Sequence, residues 1–312
     1  MRYVSTRGEA PALGFEEVML TGLARDGGLY VPEAWPELDP EAIAALAGQP
    51  FEEVGARVMA PYVGDAFSPE ELRTLIDRAW AAFDHKAVCP LVQLGESDWL
   101  LELHHGPTLA FKDVAMRLIG QMFEAVLARR GERVTIIGAT SGDTGSAAIE
   151  AFRGLDAVDV FILFPHGRVS EVQRRQMTTA PEENVHAIAV EGSFDDCQAL
   201  VKAMFNDHAF RDEMRLAGVN SINWARIMAQ IVYYFASAVA LGAPARKVSF
   251  TVPTGNFGDV FAGWVARRMG LPVDRLVIAT NQNDILDRAL ATGVYARGEA
   301  RPSISPSMDI QV

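Results

Sequence analysis

From about residue 130 onward, short apolar segments rich in β-branched residues alternate with amphipathic segments of helical period. The pattern predicts strands at 134–138, 159–164, 185–190, 248–252 and 276–279, and helices at 144–152, 169–178, 194–205 and 259–269. Strands and helices that alternate in this way favour a parallel sheet with right-handed crossovers. In open parallel sheets, ligands bind beyond the carboxyl ends of the strands, so the loops at those ends are the first candidates for a functional site.

The first 90 or so residues carry a different pattern, which is mostly helical and loop-like. Helical patterns occupy 16–23, 39–47, 51–59 and 68–83, and a short extended piece is expected at 29–31. The last of these helices has a strong start signal. Ser68 is a suitable N-cap, Pro69 fits the first helical position, and Glu71 lies where a capping box needs it.

The bulk composition narrows the classes of protein further. A net charge of −12 is a poor fit to general DNA or RNA binding, so any anionic ligand must be held locally by Arg, Lys and backbone N–H groups. Cys89 and Cys197 lie far apart and outside any metal-binding spacing, which predicts neither a disulfide framework nor a zinc site. The N-terminus lacks an apolar signal core, and the uncharged segment 227–245 contains Gln230 and Pro244. We interpret that segment as a buried helix rather than a membrane span, and expect a soluble, cytoplasmic protein.

Two glycine-rich loops follow predicted strands and precede predicted helices. They are GATSGDTG at 138–145 and PTGNFGD at 253–259. Backbone N–H groups at a helix N-terminus suit a carboxylate or a phosphate, and the glycines permit close backbone approach. The first loop is neither a Walker loop nor a dinucleotide fingerprint. For each loop, an ordinary strand-to-helix turn remains the alternative interpretation.

A third segment, HHGPTLAFKD at 104–113, contains an unusual lysine. Lys112 stands among apolar residues at the start of a helical pattern (113–127), where its charge opposes the helix dipole. It is either a snorkelling or ion-paired lysine, with Asp113 as the candidate partner, or a buried amine with a lowered pKa, suited to a Schiff base. The neighbouring His104 and His105 are expected to point apart and make a poor metal pair.

The fourth segment is NSINWAR at 220–226. Its two amides, hydroxyl and guanidinium could converge on a phosphate or a carboxylate. The alternative is a helix cap at Asn223 followed by a surface arginine at Arg226.

Taken in order along the chain, HGPTLAFKD, TSGDTG and GNFGD resemble the threonine synthase family, and DGGLYVP at 26–32 resembles its long bacterial and fungal form. These are pyridoxal-phosphate enzymes of the tryptophan-synthase-β structural type, and the resemblance covers essentially the whole chain. It implies an α/β fold of two open parallel-sheet domains and a mostly helical N-terminal region. We expect the N-terminal region at 1–90, a small α/β domain at 131–239 and a large cofactor domain at 91–130 and 240–312. The resemblance also implies that the C-terminal part of the large domain is missing, so that this chain alone is weakly active at best.

The implied reaction converts O-phospho-L-homoserine and water to L-threonine and phosphate with pyridoxal 5'-phosphate as cofactor, in a monomer or homodimer without a metal. Lys112 would form the Schiff base with the cofactor and later move protons. The other implied cofactor contacts are Phe111, Asp143, Gly255, Asn256, Phe257 and Gly258. The substrate carboxylate would be held by Ser141, Gly142, Asp143 and Thr144, and the substrate phosphate by Asn220, Ser221 and Arg226.

Two other functions remain open on the sequence. A phospholyase on the same scaffold would release phosphate and form 2-oxobutanoate, using the same lysine and anion clamp. A non-enzymatic phosphate- or nucleotide-binding protein would use the two glycine-rich loops but would leave Lys112 unexplained.

Overall fold

The structure, a computed structural model, describes residues 1–219 and 223–311. The strands in these residues are β1 (Tyr3–Ser5), β2 (Tyr30–Pro32), β3 (Leu91–Gln93), β4 (Trp99–Leu101), β5 (Val134–Ala139), β6 (Val158–Pro165), β7 (Val185–Val190), β8 (Leu216–Ala217), β9 (Val248–Pro253) and β10 (Val273–Ala279). The helices are α1 (Phe15–Thr21), α2 (Pro40–Ala44), α3 (Phe51–Val63), α4 (Pro69–Trp80), α5 (Lys112–Arg130), α6 (Asp143–Phe152), α7 (Glu171–Thr178), α8 (Phe194–Asn206), α9 (His208–Glu213), α10 (Trp224–Ala240), α11 (Gly258–Arg268) and α12 (Ile285–Thr292).

Two parallel sheets carry the α/β part of the molecule. The larger has the strand order β7-β6-β5-β8, and the smaller pairs β9 with β10. The strand at 185–190 has the predicted bounds, and the other predicted strands extend by a few residues at one or both ends. The predicted α/β class is confirmed. The larger sheet lies within 131–239 and the smaller within 240–312, while the domain boundaries themselves stay a prediction.

The N-terminal region is mostly helical, as expected, with a short antiparallel pairing of β1 and β2. Helix α4 begins as its sequence indicates, because the Ser68 side chain accepts a hydrogen bond from Glu71 N (3.1 Å) and Pro69 occupies the first position. The antiparallel hairpin of β3 and β4 was not predicted. Its strands have three residues each, which is too short for an alternating pattern to stand out.

Helix α10 runs through the core, and nearly all of its side chains are buried. Its first residue, Trp224, packs its ring against Tyr3, Trp35 and Tyr62, with centroid distances of 6.0, 6.0 and 5.4 Å. The interpretation of 227–245 as a buried helix is therefore confirmed for most of its length. Among the described residues, the structure contains no helix long and apolar enough to cross a membrane.

Candidate active site

Lys112 is the first residue of α5, and its side chain is buried. Its Nζ lies 3.0 Å from Asp143 Oδ2 and 4.6 Å from the centroid of the Phe111 ring. Burial lowers the pKa of Lys112 below that of a free lysine; the Asp143 carboxylate opposes this effect, and the positive charge of Arg226 adds to it. Of the two interpretations from sequence, the buried amine is therefore the one the geometry favours, and its ionic partner is not Asp113.

Asp113 instead builds the loop that precedes Lys112. Its carboxylate accepts hydrogen bonds from Thr108 N and Thr108 Oγ1, both at 2.7 Å. A side chain at Gly106 would put its Cβ 2.5 Å from the Cβ of Asp113, so only glycine fits this turn. The loop is therefore held against the start of α5 by internal contacts, and Lys112 leaves it at a defined point.

The first glycine-rich loop connects β5 to α6. Thr140 Oγ1 accepts hydrogen bonds from Gly142 N and Gly145 N, each at 2.9 Å. The pocket that contains Lys112 is lined here by Ser141, Asp143 and Thr144 but not by Gly142, whose N–H is already used inside the loop. The predicted carboxylate site therefore has three residues that face the pocket and one that shapes the turn.

Asp143 lies at the start of α6 and faces Lys112 with one oxygen. Its other oxygen, Oδ1, accepts a hydrogen bond from Gln173 Nε2 at 2.6 Å. Burial by itself would raise the pKa of Asp143, but the charge of Lys112 and hydrogen bonds from Lys112, Gln173 and Ser307 outweigh it and lower this pKa. The site thus holds an ionised carboxylate beside the lysine amine.

The second glycine-rich loop connects β9 to α11. Gly255, Asn256 and Gly258 line the same pocket, whereas Phe257 does not line it and is 45% exposed. The first-turn N–H groups of α11 have no acceptor within the helix and suit an anion. A Cβ on Gly255 would lie 3.0 Å from Ser307 O, so the segment around Ser307 packs closely over this loop.

Arg226 enters the pocket from the first turn of α10. Its side chain is 3% exposed, and its Nε and Nη1 have no hydrogen-bond partner among the residues that the structure describes. Burial lowers its pKa to about 10, while Tyr233, Asp259 and Asp143 act in the opposite direction. The alternative of a surface arginine is therefore wrong, although Asn223 does cap α10 by accepting from Ala225 N at 3.0 Å. Asn220 and Ser221 lie outside the described residues.

Several pocket residues were given no role from the sequence. They are Phe194, Gln198, Gln230, Ser307, Met308 and Ile310, together with Ala139, Thr140, Pro253 and Asp259 inside the two glycine-rich loops. Asp259 is half-buried, and its Oδ1 accepts from the hydroxyls of Tyr233 (2.5 Å) and Tyr234 (2.9 Å); burial raises its pKa despite these bonds. The Asp143 partner Gln173 could have been suspected, because Ser170 and Gln173 have capping-box spacing. The other pocket residues lie in sequence patterns that indicate only a buried core or a loop.

The prediction that His104 and His105 point apart is wrong. Their rings stack with centroids 4.7 Å apart and planes at 25°. The physical reason is that both ring nitrogens of His105 are held, Nδ1 by Asp84 at 2.7 Å and Nε2 by Glu102 at 2.9 Å. Ligand atoms of Glu102, His104 and His105 lie within 4.8 Å of one another, but His105 is already satisfied, and the absence of a metal stays a prediction.

The pocket lies at the carboxyl ends of β5 and β9, where parallel α/β sheets bind their ligands. It combines a buried amine, a buried guanidinium and two glycine-rich helix starts. This set suits a ligand that carries both a phosphate and a carbonyl group reactive toward an amine. The fold and the site therefore define the class: an α/β protein built for pyridoxal phosphate.

Comparison with known proteins agrees with that class. Residues 2–80 match the family described as threonine synthase N terminus, and residues 85–312 match the family of pyridoxal-phosphate dependent enzymes. The chain is 59% identical over 312 residues to the threonine synthase of Pseudomonas aeruginosa, covering 100% of this chain and 66% of that protein. It is 48% identical over 323 residues to the threonine synthase of Methylobacillus glycogenes, covering 99% of this chain and 68% of that protein.

A solved structure supports the same relationship. The crystal structure of PLP-bound threonine synthase from Brucella melitensis has a TM-score of 0.95 and 60% sequence identity, and covers 100% of this chain and 67% of that one. The chain therefore belongs to the threonine synthase family. It spans about two thirds of the length of the relatives it matches.

Proposed function

We propose that this chain carries the site of a threonine synthase, which converts O-phospho-L-homoserine and water to L-threonine and phosphate. The observation that carries the proposal is that one pocket contains the buried Lys112 amine and the Arg226 guanidinium, whose Nε and Nη1 have no partner among the described residues. The names of the relatives supply the reaction, and the pocket supplies groups of the right charge and chemistry for its substrate and cofactor.

The residues present fit pyridoxal 5'-phosphate. Lys112 Nζ would hold its carbonyl carbon, Phe111 would lie beside its ring, and the loop from Gly255 to Gly258 would receive its phosphate. When bound, the cofactor supplies an electron sink that makes protons on the amino-acid carbons of the substrate removable. The remaining chemistry belongs to this chain's own side chains.

Lys112 Nζ is the group that would take and return protons. Burial lowers its pKa, so a larger fraction of the amine is neutral and able to accept a proton near neutral pH. Asp143 Oδ2, 3.0 Å away, stabilises the ammonium form once a proton has been taken. Burial favours the neutral amine and Asp143 favours the ammonium form, so the two effects together allow one group to accept a proton and return it.

Arg226 would bind the phosphate of the substrate and the charge that develops on it as it leaves. Its buried Nε and Nη1 are donors without an acceptor in the described part of the chain, so an anion would satisfy them. Ser141, Asp143 and Thr144 would orient the amino-acid end of the substrate, with backbone N–H groups as the donors to its carboxylate. The local cation explains how a chain of net charge −12 would receive a dianion.

The test compares Lys112→Ala with the unchanged protein and with Lys202→Ala, a control at an exposed lysine of α8. After addition of pyridoxal phosphate, we expect a visible absorption band from the unchanged protein and from Lys202→Ala, but not from Lys112→Ala. A band that survives Lys112→Ala would move the attachment to another lysine. No band in any of the three would favour a non-covalent phosphate-binding protein.

Product analysis then separates the two enzymatic reactions. Incubation with O-phospho-L-homoserine should yield L-threonine and phosphate in equal amounts. Phosphate with 2-oxobutanoate and no threonine would assign the chain to the phospholyase reaction instead. We further propose that the chain works in the cytoplasm, supported by two free, buried cysteines that need no oxidising compartment.

A further inference from the structure

Two glutamines on α7 reach the site from outside the pocket. Gln173 Nε2 donates to Asp143 Oδ1 at 2.6 Å, and Gln176 Nε2 donates to Thr108 O at 3.1 Å. Because they are three residues apart, both lie on one face of the helix. The face of α7 thus contacts both the carboxylate beside Lys112 and the loop that leads to Lys112.

The amide of Gln173 is fixed at both of its ends. Its Oε1 accepts from Ser170 Oγ (2.9 Å) and Ser170 N (3.3 Å), as part of the capping box of α7. With the oxygen bound there, the amide nitrogen is the atom left to face Asp143, and that orientation satisfies both ends with donor against acceptor. A flipped amide would place two oxygens against each other.

The first glycine-rich loop leaves room for this amide. A Cβ at Gly142 would lie 2.4 Å from Gln173 Nε2 and closer still to other atoms of the amide. Gly142 also has a φ of +144°, which disfavours other residues. Gly142 therefore serves the approach of Gln173 to Asp143, which accounts for its absence from the pocket wall.

Asp143 has a different partner at each oxygen, and Ser307 adds a further hydrogen bond to the carboxylate. Oδ1 is bound to Gln173 and Oδ2 faces Lys112 Nζ at 3.0 Å. Rotation of the carboxylate away from the lysine would break the bond to Gln173. The connected set Ser170, Gln173, Asp143 and Lys112 thus runs from a helix cap to the buried amine.

We propose that Gln173 is a positioning residue that holds the Asp143 carboxylate against Lys112 Nζ. The effect of Gln173 on the protonation of Lys112 follows from this geometry, and its role in catalysis rests on the function proposed above. In that function, Gln173 sets how firmly Lys112 keeps a proton without touching substrate or cofactor.

Two substitutions at Gln173 should act in the same direction. Gln173→Leu removes the donor and frees the carboxylate to turn away, so the ammonium form of Lys112 loses stabilisation and its pKa falls. Gln173→Met removes the same donor with an unbranched side chain of similar length, so the pKa of Lys112 falls there as well. Charges at such distances move a pKa by about 1 unit or more.

The measurement is competitive labelling of lysines with limiting acetic anhydride in the cofactor-free 312-residue protein, followed by mass spectrometry across a range of pH. Labelling of Lys112 relative to Lys202 gives a midpoint that follows the pKa of Lys112. We expect the midpoint to move down by about 1 pH unit in Gln173→Leu and in Gln173→Met. Unchanged midpoints, or an upward shift in either variant, would overturn the proposal.

Gln176→Leu is the matched control, because it removes one side-chain hydrogen bond from the same face of α7 without touching Asp143. Its midpoint should stay at that of the unchanged protein. If it moved as far as Gln173→Leu, a general loosening of α7 would explain both, and the specific role of Gln173 would be lost.

The visible spectrum with added pyridoxal phosphate separates this proposal from the proposed function. A protein that gives the expected labelling shifts but never forms the band would retain the role of Gln173 toward Lys112 and overturn the cofactor assignment. A protein that forms the band normally but shows unchanged labelling in both Gln173 variants would retain the cofactor assignment and overturn the role of Gln173 toward Lys112.

Discussion

At the scale of single residues, Arg226 shows how a site holds unfavourable groups. The buried guanidinium has no acceptor for Nε and Nη1 within residues 1–219 and 223–311, so its desolvation is not compensated there and destabilises the folded chain. We expect Arg226→Met to raise the free energy of unfolding by about 1–3 kcal/mol, measured by urea denaturation. The replacement fills similar space with an apolar side chain.

The same variant should lose its response to anions. Inorganic phosphate should stabilise the unchanged protein, because a ligand that binds only the folded state shifts the unfolding equilibrium. Arg226→Met should show little of that stabilisation. A variant that is less stable than the unchanged protein, or equally stabilised by phosphate, would show that Arg226 has a structural partner.

The hydrogen bonds of His105 predict that the free energy of unfolding depends on pH. Hydrogen bonds to Glu102 and Asp84 raise its pKa above the ordinary value of 6.5, because only the imidazolium donates from both nitrogens. Its contribution to stability is therefore complete below about pH 6.5 and is lost as pH rises through the raised folded-state pKa. The difference in unfolding free energy between the unchanged protein and His105→Gln should shrink over that rise.

His166 provides the control for this measurement. Its Nδ1 lies 2.8 Å from Glu191 Oε1, but the two side chains are 62% and 88% exposed, and exposed pairs contribute little. His166→Gln should therefore give a nearly constant difference across the same pH range. A difference for His105→Gln that grows with pH would mean that the ring is neutral in the folded state.

At the scale of elements, two helix caps of the same type should have different consequences. The side chains of Ser68 and Ser170 accept from the N–H three residues on, at 3.1 and 3.2 Å. Alanine at either position should cost about 1 kcal/mol of stability, measured by denaturation. Only Ser170→Ala should also lower the labelling midpoint of Lys112, because only that cap orients an amide that reaches Asp143.

The comparison of the two serines carries its own control. Ser68→Ala reports the loss of a cap remote from the pocket, and its labelling midpoint should equal that of the unchanged protein. Equal midpoints in the unchanged protein, Ser68→Ala and Ser170→Ala would mean that the capping of α7 does not affect the pKa of Lys112.

Elements were predictable where their signal is local and long enough. Helices such as α4 and strands such as β7 follow from residues within a few positions of one another, because periodic burial leaves a periodic sequence. The three-residue strands β3 and β4 and the two-residue β8 carry no period. Strands β3 and β4 form because they pair with each other, and β8 forms because it pairs with β5.

At the scale of the whole molecule, α10 joins the N-terminal region to the sheets. One apolar cluster extends from Tyr3 through α10 to Val273, and Trp224 contributes its ring to the part supplied by the N-terminal region. Removal of residues 1–80 would uncover this face of α10. We expect the remaining chain to lose near-ultraviolet circular dichroism and to bind a hydrophobic dye, as states without fixed packing do.

A shortened chain that unfolds in one sharp transition and binds no dye would contradict this expectation. The full 312-residue chain is the reference for both signals. Such a result would mean that the family-matched region at 85–312 packs independently of the N-terminal region.

The sequence by itself determined the fold class and many of the groups in the pocket. Alternating strands and helices, two glycine-rich loops and a lysine at a helix start are local features, and each can be recognised without knowing its neighbours in space. The tertiary structure decided which of these groups meet. It brought Lys112 to Asp143, buried Arg226 with two nitrogens that no described residue accepts from, and placed Gln173 and Ser307 around the site. The physical reason is that burial and charge act through space, so the pKa of an amine depends on groups far away along the chain.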